Sequence, residues 1–269
     1  MIADVRELYA RRELLSDFAA RDLRARYKGS LLGFAWHFLN PLLQLLVYWL
    51  LFGVLLRIRV VNAFGETPAY GYAVFLFTGL LPWTFLAGSL LGGASSVVAN
   101  AALVKKVRMP LAVLPAASVL SSLLNFLLSL AVLAAVVLVT GVPPQATLLW
   151  VPLLVAIQVA MNLGFAYALA ALAVFFRDVL HILGIAITLW YFLTPVIFPL
   201  EQFAERPREY LLLHLNPMTP LIAGYQRAIL DGASPELWWL LYSAAFALLL
   251  LPAGFAFYRR SSLAFEEEL

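Results

Sequence analysis

The sequence predicts an all-α polytopic membrane protein: six transmembrane helices, an N-terminal amphipathic interfacial helix, and outer re-entrant or gate helices before the last span. Three observations carry this reading. Six long segments, about residues 31–56, 70–99, 111–140, 145–176, 179–198 and 237–258, contain no Asp, Glu, Lys or Arg. A span needs about 20 apolar residues to cross a hydrocarbon core of about 30 Å, and each segment reaches that length. The chain of 269 residues is 64% hydrophobic and 12% charged, whereas a soluble domain is about 25% charged. Finally, the bases are distributed unequally between alternate loops.

That distribution sets the orientation. With both termini cytoplasmic, the inner segments carry Arg6, Arg11, Arg12, Arg21, Arg24, Arg26, Lys28, Lys105, Lys106, Arg108, Arg177, Arg259 and Arg260, which is 13 of the 18 bases. The outer segments carry Arg57, Arg59, Arg206, Arg208 and Arg227, the remaining 5. Cytoplasmic loops of membrane proteins are enriched in Lys and Arg, so the count agrees with six crossings.

Residues 1–30 form a charged, cytoplasmic amphipathic arm, and residues 31–269 a single transmembrane domain. The arm has no apolar core of the kind a cleavable signal peptide carries. Ile2, Val5, Leu8, Tyr9, Leu15, Ala19 and Leu23 fall within roughly 140° of one helical face, with Leu14 and Phe18 off it. Ser16-Asp17 is placed to cap a second short helix. The arm is expected in the headgroup plane, apolar face down. Arg21, Arg24, Arg26 and Lys28 come just before the first span. They read as an anchor to anionic lipid or as a docking site for the phosphates of a lipid-linked substrate; both readings use the same charges.

In the first span Phe34, Phe38, Tyr48, Trp49 and Phe52 fall within roughly 100° on a helical wheel. This stripe reads as lipid contact and helix packing, or as a smooth wall along a conduit, since the C–H faces of sugars pack on rings. Asn40-Pro41 interrupts the span, where proline removes a backbone hydrogen bond. His37 reads as a satisfied interfacial group. Residues 100–110 (NAALVKKVRMP) form the one internal cytoplasmic loop of any size. There Asn100 is placed to cap a short helix carrying Lys105, Lys106 and Arg108, read as a topology determinant or as a lever pressed by a cytoplasmic partner. Arg177-Asp178 is a tight, self-neutralising turn. Residues 199–235 hold two short apolar pieces broken by Asn216-Pro217 and Thr219-Pro220. Neither piece is long enough to cross, so both are expected as outer re-entrant or interfacial helices lining an exit.

Composition also excludes chemistries. Ion-driven transporters keep a few ionisable residues, acids above all, within the bilayer, and the six segments hold no Asp, Glu, Lys or Arg. No lysine stands in a G-x-x-x-x-G-K-[ST] phosphate cradle. No paired aspartates suit Mg²⁺-dependent diphosphate chemistry, no His/Asp/Glu cluster has metal spacing, and cysteine is absent. The basic balance lies at membrane edges and is no nucleic-acid footprint. The chain is therefore expected to be no enzyme by itself: either passive, or driven by a separate ATPase.

The run Arg21-Asp22-Leu23 … Arg26-Tyr27-Lys28-Gly29-Ser30-Leu31-Leu32-Gly33-Phe34-Ala35-Trp36, followed by Asn40-Pro41-Leu42, resembles the start of polysaccharide and polyol-phosphate ABC exporter permeases of the type-2 ABC family. Asn216-Pro217-Met218-Thr219-Pro220-Leu221-Ile222 … Tyr225-Gln226 is similar to the same family's segment before the last span, and Phe198-Pro199 fits as well. The resemblance covers the whole chain; its motifs are distinctive for the family and poor at identifying the substrate. It implies a homodimer in the cytoplasmic (inner) membrane, paired with two copies of a cytoplasmic ATP-binding subunit. ATP and Mg would be held by that partner, with no cofactor in this chain. Asn100, Lys105, Lys106 and Arg108 would form the coupling helix, and the arm an interfacial gate helix near the entry for an undecaprenyl-linked glycan. Residues 203–231, with Asn216, Pro217, Pro220 and Tyr225, would form the outer gate. The expected activity is ATP-driven export of a lipid-linked polysaccharide, O-antigen first. Teichoic acid or another cell-wall glycan, or small hydrophobic drugs or lipids, are the alternative cargoes, and a passive channel or scaffold is the third reading.

Overall fold

The computed structural model describes residues 12–26, 30, 32–58, 71–106 and 110–269, and the regular structure among them is helical throughout. Helix α1 is Arg12–Arg26, α2 is Trp36–Tyr48 and α3 is Gly71–Ser95. Next come α4 (Ala101–Lys106), α5 (Val113–Val139), α6 (Trp150–Phe175) and α7 (Val179–Phe192). The chain closes with α8 (Pro207–His214), α9 (Thr219–Gln226), α10 (Leu237–Ser261) and α11 (Phe265–Glu268).

Among the described residues, 5 helices are long and apolar enough to cross a membrane: Trp36–Leu55, Gly71–Ser95, Val113–Val139, Ala146–Phe175 and Leu237–Ala264. The expected count of six is not met by length. Segment 179–198 yields only the 14 residues of α7, about 21 Å at 1.5 Å per residue. Pro195 stops it, because the residue before a proline is steered out of the helical region. The helix ends at Phe192 in a turn in which Thr194 Oγ1 donates to Trp190 O at 2.7 Å.

Helix α3 is the centre of the molecule. Most of its side chains from Ala73 to Ala94 are buried, Thr84 and Leu91 being exposed, and it packs against α5, α6, α7 and α9. By contrast, α2 exposes Leu42, Leu43, Leu46, Val47 and Leu50 and lies at the edge. From Trp49 to Leu55 it continues with π-helical winding. A second cluster gathers Val97, Val104, Leu114, Tyr167, Tyr258 and Phe265, with Leu15 and Phe18 of α1 packed on it. This is the arm end of the molecule; the turn at residues 140–145 and the segment 199–236 lie at the far end.

Lipid tails are as apolar as leucine, so helix association in membranes depends on close packing and neutral hydrogen bonds. Both are present. A Cβ on Gly254 of α10 would sit 2.2 Å from the carbonyl oxygen of Gly164 in α6, so the two backbones touch. Inside, Gln158 Nε2 donates to Pro82 O at 2.7 Å, and Asn162 Nδ2 donates to Ser89 Oγ at 3.1 Å. No Asp, Glu, Lys or Arg is among the buried side chains of the described residues.

The arm differs in detail from its sequence reading. α1 is one unbroken helix, and Ser16 Oγ bonds back to Glu13 O at 2.8 Å instead of capping a new one. Phe18, expected off the apolar face, packs beside Leu15 and the buried Ala19. The packing face is set by the groove on α5, and the 15/18/19 spacing meets it. Ile2, Val5, Leu8 and Tyr9 lie outside the described residues.

The α6–α10 contact generates a prediction. Gly254→Ala forces a methyl into a carbonyl, an overpacking cost of about 1–3 kcal/mol, and lowers the melting temperature of the detergent-purified protein. Gly184→Ala in α7, where a Cβ meets nothing within 4 Å, leaves it unchanged or raises it, because alanine is the better helix former.

Candidate functional site

The arm end brings together residues read separately in the sequence. Arg21 Nη2 donates to Asn100 Oδ1 at 3.0 Å, and the Arg21 guanidinium lies 4.5 Å from the centre of the Phe18 ring. Asn100 closes a 3₁₀ turn, Val98–Asn100, that leads directly into α4. Its Nδ2 donates to Ser96 O at 2.8 Å, so the side chain turns back to the end of α3. Of the α4 residues, Val104 is buried in the arm-end cluster and Lys105 is exposed. The side chains of Arg24, Arg26 and Lys106, and residues Lys28 and Arg108, lie outside the described residues.

The aromatic stripe of the first span is divided. Tyr48 and Phe52 (6.2 Å between ring centres) turn inward, and Phe52 meets Tyr72 of α3 at 5.1 Å. Tyr72 OH in turn donates to Ile197 O. Trp49 faces outward, 55% exposed. Phe38 is half-buried, and the Phe34 side chain is outside the described residues. An ideal α-helical wheel groups all five; π winding from Trp49 onward changes the angle per residue and separates Trp49 from the others. His37, expected as a satisfied interfacial group, is buried.

The far end is built around Asn216. Its Oδ1 accepts from Trp190 Nε1 at 2.8 Å and from Met218 N at 3.0 Å. Its Nδ2 donates to Thr194 Oγ1 at 2.8 Å and to Leu193 O at 3.3 Å. A side-chain amide has two donor hydrogens and two acceptor lone pairs; all four are used. Asn216 thereby fastens the end of α7 to the start of α9. Pro217 O accepts from Ser243 Oγ at 2.8 Å, which adds α10. Pro220 lies buried in the first turn of α9, where a missing N–H costs nothing, and every α9 residue is buried. Tyr225 OH donates to Gln158 Oε1 at 3.1 Å, and its ring meets Phe126 at 5.9 Å. A π-helical turn, Arg227–Asp231, follows and ends on Gly232 at φ 64°. A Cβ there would sit 1.7 Å from Gln145 Oε1, so only glycine lets the 140–145 turn close over this segment.

Charge at the far end is concentrated in one group. Arg227 Nη1 pairs with Glu236 Oε1 at 2.8 Å, and Tyr210 OH donates to Glu236 Oε2 at 2.8 Å. Three elements (α8, the π turn and the start of α10) are tied by one carboxylate. Glu201 lies beside them, and burial pushes its carboxyl above the usual range, opposed by the Arg227 charge. Burial likewise pushes His214 below its ordinary value, and its ring lies against Tyr210 and Trp239, 4.2 and 4.3 Å between centres.

Residues 15–230 match the ABC-2 type transporter family. The chain belongs to that family. This ABC-2 chain is 39% identical to the O-antigen export system permease protein RfbA of Myxococcus xanthus over 100% of both chains. It is 29% identical to the RfbA permease of Klebsiella pneumoniae, over 96% of this chain and 95% of that one. It is 24% identical to the polysialic acid transport protein KpsM of Escherichia coli, over 89% of this chain and 90% of that one. The ABC-2 family is one of permease subunits, so this chain is no enzyme itself, and its family implies an ATP-binding partner and a membrane setting.

Gln158, Asn162 and Glu236 had no part in the sequence reading, and Arg227 entered it only as one of the outer bases. The two amides stand four residues apart in an apolar span, a spacing that puts them on one helix face. A search for buried neutral polar groups finds them; a search for buried charge does not.

Two predictions concern the far end of this ABC-2 chain. Asn216→Ala leaves buried donors and acceptors of α7 and α9 unpaired, at about 1–3 kcal/mol each, and lowers the melting temperature well beyond an exposed control such as Gln202→Ala. For Glu201 the raised carboxyl fixes the sign. Its contribution is fully present below the ordinary value near 4.5 and is lost as pH rises through the elevated one. Melting temperature measured across that window falls with pH in the native protein, and Glu201→Gln flattens the fall.

Proposed function

We propose that the chain is the membrane-spanning subunit of an ATP-driven exporter that carries a lipid-linked polysaccharide, O-antigen first, across the cytoplasmic (inner) membrane. The observation that carries this reading is the full-length likeness to the RfbA permease of Myxococcus xanthus, 39% over both whole chains. Two further features support it. The buried polar side chains of the described residues are hydroxyls, amides and two histidines, with no Asp, Glu, Lys or Arg among them, which suits a neutral, weakly bound sugar chain. The KpsM relative is named for transport of polysialic acid, another sugar polymer, which favours a glycan over a small hydrophobic drug.

In this reading the permease is a homodimer with two cytoplasmic ATP-binding subunits, which hold ATP and Mg, and both termini are cytoplasmic. The exposed apolar faces of α2 and of α7 (Ile182, Ile185, Leu189, Phe192) are covered by the second copy or by lipid. Helix α7 with its following turn is the fifth of six crossings, and α8 and α9 re-enter from the outer side as the gate. The pyrophosphate is the strongly charged part of the cargo, and Arg21, Arg24, Arg26 and Lys28 receive it through charge-assisted hydrogen bonds. ATP binding closes the partner subunits. The helix bearing Lys105, Lys106 and Arg108 transmits the movement, and the chain passes along Phe34, Phe38, Tyr48, Trp49 and Phe52.

Complementation tests the reading. A strain lacking the gene loses surface polysaccharide, and the native chain restores it together with a copurifying ATP-binding subunit. Lys105→Glu combined with Arg108→Glu keeps the complex assembled and hydrolysing ATP but abolishes export. Normal export by that double variant removes the lever role; export with no ATP-binding subunit removes the whole reading.

A further inference from the structure

Arg21 and Asn100 stand 79 positions apart, yet they meet side chain to side chain. Both ends of this contact are held from behind. Phe18, one turn before Arg21, lies under the guanidinium at 4.5 Å and packs on the same cluster that buries Val104 of α4. Asn100 is fixed by its second bond to Ser96 O, which aims its oxygen at Arg21. α1 itself is seated on α5, with Ala19 1% exposed. The contact therefore joins the arm to the root of α4 at a defined point.

The bond is an unequal one. Arg21 is exposed, and its acceptor is a neutral amide oxygen. That bond is charged at one end only, whereas a phosphate oxygen carries the opposite charge and adds ion pairing to the hydrogen bond. The planar guanidinium fork also matches phosphate geometry at two oxygens. A phosphate reaching the arm takes Arg21 from Asn100 without any unfolding of α1.

We propose that Arg21 is a cargo-sensing switch: it restrains the root of α4 through Asn100 until a phosphate of the lipid-linked cargo replaces that bond, so that cargo arrival frees α4 for ATP-driven movement. This rests on the exporter reading above and adds regulation to the same site. Asn100 is a positioning residue here, acting through Arg21 and α4 without touching the cargo.

The test uses the complex of the chain with its ATP-binding subunit in phosphatidylcholine nanodiscs, with undecaprenyl pyrophosphate as the probe. The native complex hydrolyses ATP about fivefold faster with the probe, the low end of ordinary coupling between sites. Asn100→Ala and Arg21→Ala raise the rate without probe toward the stimulated level and leave less than about twofold further stimulation. Asn100→Asp gives up the bond to Ser96 O but offers Arg21 a carboxylate, and the resulting ion pair tightens the restraint, moving the half-maximal probe concentration up by about tenfold. That opposite shift separates a switch from mere damage to folding, as do matched melting temperatures. Indistinguishable rates and probe dependence in the native, Ala and Asp complexes overturn the switch. An equal response to phosphatidylglycerol also overturns it, by assigning the effect to bulk anionic lipid. A native complex that exports glycan while the variants behave like it leaves the exporter reading standing and removes only the switch. A native complex that fails to export removes the reading itself.

Discussion

The structure depends on a single constraint: with no Asp, Glu, Lys or Arg among the buried side chains of the described residues, its helices must be held together by backbone proximity and neutral groups. Water is absent from the hydrocarbon core, so each buried amide or hydroxyl needs a partner within the protein. The Gly164–Gly254 contact, the Gln158 bond to Pro82 O and the Asn162 bond to Ser89 are the forms this takes. Helix α3, the most buried of the long helices, accepts the two side-chain bonds. The charged groups are left to the two ends, where they do different things. At the arm end they meet a neutral amide, and at the far end they meet each other.

Much of this was legible in the sequence because exclusion of charge is a one-dimensional signal. It marked the long helices, the charged arm and the break at Asn216-Pro217. Where the reading stopped, the reason is physical. The wheel that grouped Phe34, Phe38, Tyr48, Trp49 and Phe52 assumes one winding, and the π turn from Trp49 to Leu55 breaks that assumption. Phe18 was placed off the apolar face because the wheel centres that face on the arm's whole apolar set, whereas the observed packing face is the one that brings Leu15, Phe18 and Ala19 against the bundle. The fifth apolar segment had the composition of a span, but Pro195 leaves it only 14 helical residues.

The candidate site divides in the same way. The residue types were foreseeable: bases before the first span, an asparagine at the root of α4, an Asn-Pro pair before the last span. Their pairing was not. Arg21 with Asn100 and Asn216 with Trp190 are long-range contacts, set by how α1 lies on α5 and how α7 ends. No local pattern encodes either. On the proposed reading, this is where regulation enters, since one arginine belongs both to cargo recognition and to the route by which force arrives.

The saturated amide of Asn216 has a mechanical consequence. With every hydrogen-bonding position occupied, it acts as a rivet between the end of α7 and the start of α9. A rivet transmits displacement without lengthening. Any widening of the far end therefore carries both helices as one stiff plate, hinged elsewhere, and the aperture it uncovers is as broad as the plate and not as narrow as a loop.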